Sequence, residues 1–137
     1  MANATAREAA GQRIREGMRD QARRGDVYAP ECPSRALLDH VSSRWGVLVL
    51  VLLLDRPHRF SELAGTILGV SDKMLSQTLK VLVADGFVQR VVATDTPVRV
   101  SYELTPNGHE VATRLAELVE WLQEHVGAVL AEAASAV

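Results

Sequence analysis

The 137-residue chain holds one cysteine, Cys32, which excludes an internal disulfide framework and fits a reducing, cytoplasmic setting. Aromatics make up only 4% of the sequence against 47% hydrophobic residues, so the expected core is aliphatic. The longest apolar run, Val47 to Leu54, falls far short of the roughly 20 residues that span a bilayer, and no membrane partner is expected. The N-terminus lacks the basic start, short apolar block and small-residue cleavage site of a signal peptide. The histidines at 40, 58, 109 and 125 are scattered, with none at metal-ligand spacing, so no metal or cofactor is expected. Paired carboxylates, a Ser-His-Asp set and a glycine-rich phosphate loop are all missing, and nothing in the chain reads as an enzyme. Charge is also short: the net value is −2 at pH 7.

What is present is concentrated in residues 59–105. Cys32-Pro33 precedes Ser34, a good N-cap for a helix over Arg35–Ser42. A second helix from Arg44 to about Asp55 is apolar nearly all round, as a buried spine is. Pro57 then breaks the chain. Ser61 is placed to cap a short helix over Glu62–Leu68, with Leu63, Ala64, Ile67 and Leu68 forming its apolar face, and Gly69 closes it. Ser71 caps the next helix, which runs to about Ala84. In that helix Leu75, Leu79 and Leu82 recur at core spacing, while Lys73, Gln77 and Lys80 line the opposite side with Ser76 beside them. Asp85-Gly86 ends it, and strands are expected over Phe87–Ala93 and Val98–Leu104, joined by Thr94–Pro97.

Two short helices meeting at a turn, then a hairpin, describe a winged helix-turn-helix over residues 32–105. The fold class is mainly α with a small β-hairpin wing. In such a module the second helix fits the major groove of DNA. Candidate DNA contacts are therefore Ser71, Lys73, Ser76, Gln77 and Lys80 on that helix, and Arg59 ahead of the first. Arg90, Thr96 and Arg99 are the candidates on the wing. Glutamine pairs with adenine, lysine with guanine or phosphate, and wing arginines with phosphates or the minor groove. Each has a plainer alternative as a solvated surface residue. The charge does not exclude this use. Residues 55–103 sum to zero and residues 104–137 to −4, so the acidity lies away from the proposed reading head.

Residues 1–31 carry no large apolar stripe and read as an arm, flexible or partly helical. Ile14 and Met18, four apart, suit a frayed helix rather than a docked one. Its six arginines fit either DNA-backbone contacts or a solvated tail. At the other end, Thr105-Pro106 opens a helix to about Ala133. Val111, Leu115, Leu118, Leu122, Val126 and Val129 step by threes and fours along it, with Trp121 beside them. At 1.5 Å per residue it spans about 40 Å, more than a head this small covers. Part of the seam needs a partner, and a second copy is the simplest one. Residues 106–137 are thus the expected dimerisation helix, and a homodimer would read a two-fold symmetric operator.

Several blocks, taken in order, resemble the HxlR-type winged-helix transcriptional regulators of bacteria. They run from Cys32-Pro33 and Arg44-Trp45 through Arg59-Phe60-Ser61-Glu62-Leu63 and Val70-Ser71-Asp72-Lys73-Met74-Leu75. Asp85-Gly86-Phe87-Val88 and Tyr102-Glu103-Leu104-Thr105-Pro106-Asn107-Gly108 complete the set, over about residues 32–108. The resemblance implies a homodimer formed partly through the last helix, binding operator DNA and controlling nearby genes. Three features depart from the family. Ser43-Arg44-Trp45 stands where Gly-Lys-Trp is common, Asp95-Thr96-Pro97 replaces a Val-Pro-Pro-like tip, and the arm is longer than usual.

Cys32 sits where some relatives keep a redox-sensing cysteine. Near a helix N-terminus a thiolate is favoured, and oxidation there would end in a mixed disulfide, an intersubunit disulfide or a sulfenic acid. The other reading is a small apolar residue packing the entry to the first helix. The signal that changes occupancy is then oxidative or electrophilic through Cys32, or a small-molecule effector between the last helix and the head. A reading from another class also stands: a winged-helix protein–protein interaction module without sequence-specific DNA binding, to which the near-neutral head is suited. Salt separates the two, because DNA binding through several phosphates falls steeply as salt rises.

Overall fold

The computed structural model describes residues 2–19 and 27–136. They divide between two compact units, Met1–His40 and Val41–Val137. In the first unit, α1 takes up Ala2–Arg19. It is a polar helix on which Arg7, Arg13 and Ile14 are exposed, and Gln12 donates to Glu16 one turn on, at 3.2 Å. Of the arm's other arginines, Arg23 and Arg24 lie outside the described residues.

The second helix, α2, covers Pro33–Val41 and so starts earlier than the sequence suggests. Ser34 is inside it rather than at its cap. Proline's fixed φ suits the first helical position, and the Arg35 N–H donates to the Cys32 carbonyl at 3.1 Å, which makes Cys32 the flanking residue. Cys32 is buried and its own N–H donates to Ala29.

In the second unit, α3 (Arg44–Leu53) begins at Ser43, whose hydroxyl accepts from the Gly46 N–H at 3.2 Å. Its Val49, Leu50 and Leu53 are buried, whereas Leu48 on the outer side is 40% exposed, so the spine is covered on one face only. It ends two residues before Asp55, in a tight turn closed by bonds from Leu54 and Asp55 to Val51 and Leu52.

The next helix, α4, spans Phe60–Thr66. The expected cap, Ser61, falls inside it; Arg59 is the capping residue, and its N–H donates to the Glu62 carboxylate at 3.0 Å. A carboxylate three residues on reaches back to an orphan N–H, and that interaction outcompetes the serine. The backbone turns extended at Ile67, so Leu68 lies past the helix end and is 85% exposed, not part of the apolar face. Gly69 makes the turn with φ +89°, a left-handed conformation that side chains disfavour.

The next helix, α5 (Asp72–Ala84), is capped by Ser71 as expected, with the hydroxyl accepting from the Met74 N–H at 3.1 Å. Leu75, Leu79 and Leu82 are buried. Strands β1 (Val88–Ala93) and β2 (Arg99–Leu104) form an antiparallel pair in which Val88 faces Leu104, Arg90 faces Tyr102 and Ala93 faces Arg99. Buried His58 adds a bridge to β2: its N–H donates to the Tyr102 carbonyl at 3.0 Å and its carbonyl accepts from the Tyr102 N–H at 2.7 Å.

The last helix, α6, runs Pro106–Ser135, with the Thr105 hydroxyl accepting from the Gly108 N–H at 3.0 Å. Ala112 joins the buried cluster of Val49, Leu50, Leu53, Leu63, Ile67, Leu75, Leu79, Leu82 and Val88. That core is wholly aliphatic, as the shortage of aromatics predicts, and Trp45, Phe60, Phe87 and Tyr102 pack only at its edge. Among the described residues no single helix is long and apolar enough to cross a membrane.

Candidate nucleic-acid interface

The outer stripe of α5 stands as the spacing predicts. Lys73, Gln77 and Lys80 are exposed, Ser76 is half-buried beside them, and the leucines behind them fix the helix to the core. Ser71 spends its hydroxyl on the cap, which leaves it at the start of the stripe as a positioning residue. Met74 is a member that the sequence reasoning missed. It is 42% exposed one turn before Gln77 and Thr78, and offers apolar contact of the kind a thymine methyl takes. Its spacing to Gln77 was the available signal.

The wing residues separate. Residues facing each other across a ladder share a face, and successive residues alternate. Arg90 therefore lies on the face of Val88, Tyr102 and Leu104, which turns toward α5, and Arg99 lies on the other face with Gln89 and Glu103. Arg90 lines a notch between helix and hairpin together with Lys80 and Ser76. Arg99 and Thr96 are exposed toward the tip, away from that notch's face in the case of Arg99. On the opposite face Gln89 donates to the Glu103 carboxylate, which occupies that acid.

Arg59 is exposed at the start of α4. Glu62 holds its backbone N–H and pairs instead with the Arg56 guanidinium at 2.9 Å, so the Arg59 head is left outward. The Arg59 N–H, and then Arg56, keep the Glu62 carboxyl below its ordinary range, against a smaller opposing effect of burial. Among the described residues the ion pairs involve Arg56 with Asp55 and Glu62, and Arg114 with Glu110. Lys73, Lys80 and Arg90 take part in none of them. That leaves three cations outside these pairs on α5 and the adjoining strand, beside the exposed Asp72 in the helix's first turn.

A matched family model now joins this geometry: residues 40–129 fit the one described as HxlR-like helix-turn-helix. The chain belongs to that family. Over 111 residues it is 47% identical to YtfH, an uncharacterised HTH-type transcriptional regulator of Escherichia coli (strain K12), covering 81% of this chain and 88% of that protein. The solved ytfH chain of Salmonella typhimurium matches with a TM-score of 0.73 at 48% identity, over 79% of this chain and 96% of that one. The redox regulator HypR in its oxidised form matches with a TM-score of 0.63 at 29% identity, over 68% and 96%. Both the HxlR-type resemblance and the winged-helix fold read from the sequence hold.

In this HxlR-like chain the apolar seam of α6 divides in two. Val111 and Leu115 pack half-buried against the head's own core, which already satisfies them. Leu118, Trp121, Leu122, Val126 and Val129 are 41–53% exposed and continue outward. Trp121 stacks on His125 with ring centroids 4.4 Å apart. Between α3, the turn after α4 and α6 there is a shallow apolar groove of about 360 Å³, lined by Leu48, Leu52, Leu68, Val119 and Gln123 among others. This is the region between last helix and head that the sequence reading marked for an effector. Among the described residues no group of three or more His, Cys, Asp or Glu is placed to hold a metal ion.

Proposed function

We propose that this HxlR-like protein regulates transcription in the cytoplasm as a homodimer bound to a two-fold symmetric operator, with α5 in the major groove. The observation that carries the reading is the exposed stripe of Lys73, Gln77 and Lys80 on a helix held by its cap and its buried leucines. Lysine and glutamine supply phosphate and base-edge contacts, and Arg90, Arg59, Arg99 and Thr96 flank them. The exposed outer half of the α6 seam supports the dimer, because that much contiguous apolar helix is costly to leave in water. Such a pair places two reading helices on successive turns of one DNA face. The protein has no catalytic role in this reading; a signal acts by changing the spacing of the two heads.

Two kinds of signal fit, an oxidant or electrophile at Cys32 and a small molecule in the α3–α6 groove. HypR is described as a redox regulator. Here Cys32 is the single cysteine and is 6% exposed, so its thiol meets a reagent only when the turn before α2 opens.

The test is a mobility shift with the DNA flanking the gene, with and without diamide. A specific complex is expected, weakened about tenfold or more when Lys73 and Gln77 are replaced by alanine, since one good base contact is worth about 1–3 kcal/mol. Unchanged binding by a folded double variant would remove α5 from the interface. Loss of the complex in diamide, retained in Cys32→Ser, assigns the sensor role, and indifference to diamide returns Cys32 to packing. No specific complex from a folded dimer would favour the protein-interaction module.

A further inference from the structure

The notch between α5 and the wing has a composition that DNA binding does not account for. It encloses about 290 Å³, at the small end of the roughly 300–1,000 Å³ typical of small-molecule sites. Its apolar and aromatic lining is Leu79, Val83, Ala84 and Tyr102. Val83 is 37% exposed. Lys80, Arg90 and Ser76 provide its polar lining, and no carboxylate is among the lining residues.

Two features make it a built site rather than a surface irregularity. Tyr102 is held by both backbone bonds to buried His58, and it is the cross-strand partner of Arg90, so both side chains start from one backbone rung on the same sheet face. Leu79 is 2% exposed and anchors the helix wall in the core. A DNA phosphate needs the two cations and has no use for the apolar floor. A small molecule with a carboxylate on an aromatic or branched hydrocarbon body uses both: charge-assisted bonds to Lys80 and Arg90, a hydroxyl donor from Ser76, and burial against Val83, Ala84 and Tyr102.

We propose that this notch binds a small amphipathic carboxylate, and that its occupancy withdraws Lys80 and Arg90 from DNA. The second half rests on the proposed DNA reading; the first half does not. The ligand would act at the reading head itself, by neutralising two of the cations that face phosphate, with no change of dimer geometry required.

The experiment titrates the full, DNA-free chain with 1-naphthoate and follows assigned amide and methyl resonances, with 1-naphthalenemethanol as the neutral counterpart. Saturable shifts centred on Leu79, Val83, Ala84 and Tyr102 are expected. Lys80→Gln and Arg90→Gln should each weaken binding about tenfold, the size of one charge-assisted hydrogen bond, and the alcohol should bind comparably weakly. Glu103→Gln, on the opposite hairpin face, should leave it unchanged. Shifts centred on the exposed α6 seam, equal affinity for the alcohol, or full binding by both cation variants would overturn the site. In a second arm naphthoate should release a labelled duplex of the flanking DNA from the wild-type chain. A duplex that binds while naphthoate does not sinks this proposal and leaves the DNA reading standing; naphthoate binding to a chain that never holds the duplex does the opposite.

Discussion

Replacing Gly108 with alanine tests how the last helix is joined to the wing. Gly108 is buried in the first turn of α6, where an added Cβ would sit 1.8 Å from the Phe87 carbonyl oxygen and 2.8 Å from its carbon. Both are backbone atoms, so relief requires α6 and the start of the hairpin to part by roughly 1 Å or more. Three bonds tie this junction: the Thr105 N–H to the Phe87 carbonyl at 3.1 Å, the Thr105 hydroxyl to the Gly86 carbonyl, and the Gly108 N–H to the Thr105 hydroxyl. At about 1 kcal/mol net for each, their disruption costs up to about 3 kcal/mol. Alanine's better helix propensity offsets no more than about 1 kcal/mol of that. The expected loss is about 2 kcal/mol, a fall in Tm of about 6 °C for a chain of this size. Thermal unfolding followed by circular dichroism, at one fixed protein concentration, measures it. Gly65→Ala is the internal control, because a Cβ there meets nothing within 4 Å and the residue sits inside α4. That variant should melt at or slightly above the wild type. A Gly108→Ala protein that does the same would refute the close-approach argument.

The other predictions concern charge and assembly. Because the folded state lowers the Glu62 pKa from 4.5, the contribution of its ionised form is complete above that value and disappears as pH falls through the lowered one. The stability gap between wild type and Glu62→Gln should therefore be present at neutral pH and close in acid; a gap that does not change with pH would contradict it. Leu118→Asp together with Leu122→Asp should convert a dimer to a folded monomer by light scattering, while Val111→Ala should destabilise the head, since only the former pair is exposed. A dimer that survives the double substitution would place the interface elsewhere. If Arg59, Lys73, Lys80, Arg90 and Arg99 all meet phosphate in both subunits, the logarithm of the DNA affinity should fall with that of salt with a slope of about −9. A slope near zero would exclude phosphate contact by this face.

Local signals were the legible part of the chain. Ser71 and Thr105 cap as their positions predict, and Gly69 and Gly86 take up positive φ at the turns where helices end. These are decided within four residues, where a sequence carries all the relevant information. Where two local signals compete, the outcome was not legible. Pro33 overrode Ser34, and Glu62 overrode Ser61, because each winner satisfies an N–H or a φ constraint that the serine does not. Periodicity failed in a different way along α6. It identifies Val111, Leu115, Leu118 and Leu122 as sharing a face but is silent on what covers it. The head covers the first two and leaves the others open. Arg90 and Arg99 needed the hairpin register before their faces could be told apart, and the notch behind Arg90 exists only once helix and strand are placed together.

The small number of cations has a consequence for regulation. A strongly basic head would hold DNA through many phosphates, and the loss of one or two contacts would change occupancy little. Here residues 55–103 have no net charge, and the last segment, at −4, repels the same polyanion. Affinity then depends on a few placed groups rather than on a general positive field. In the proposed interface Lys80 and Arg90 are two of these, on adjacent elements that line one notch. In the proposed dimer, neutralising such a pair in each subunit would remove a large share of the phosphate contacts at once. On the proposed reading, a head with so little charge to spare is one whose grip a small carboxylate would break, and the near-neutral composition would make DNA binding easy to reverse.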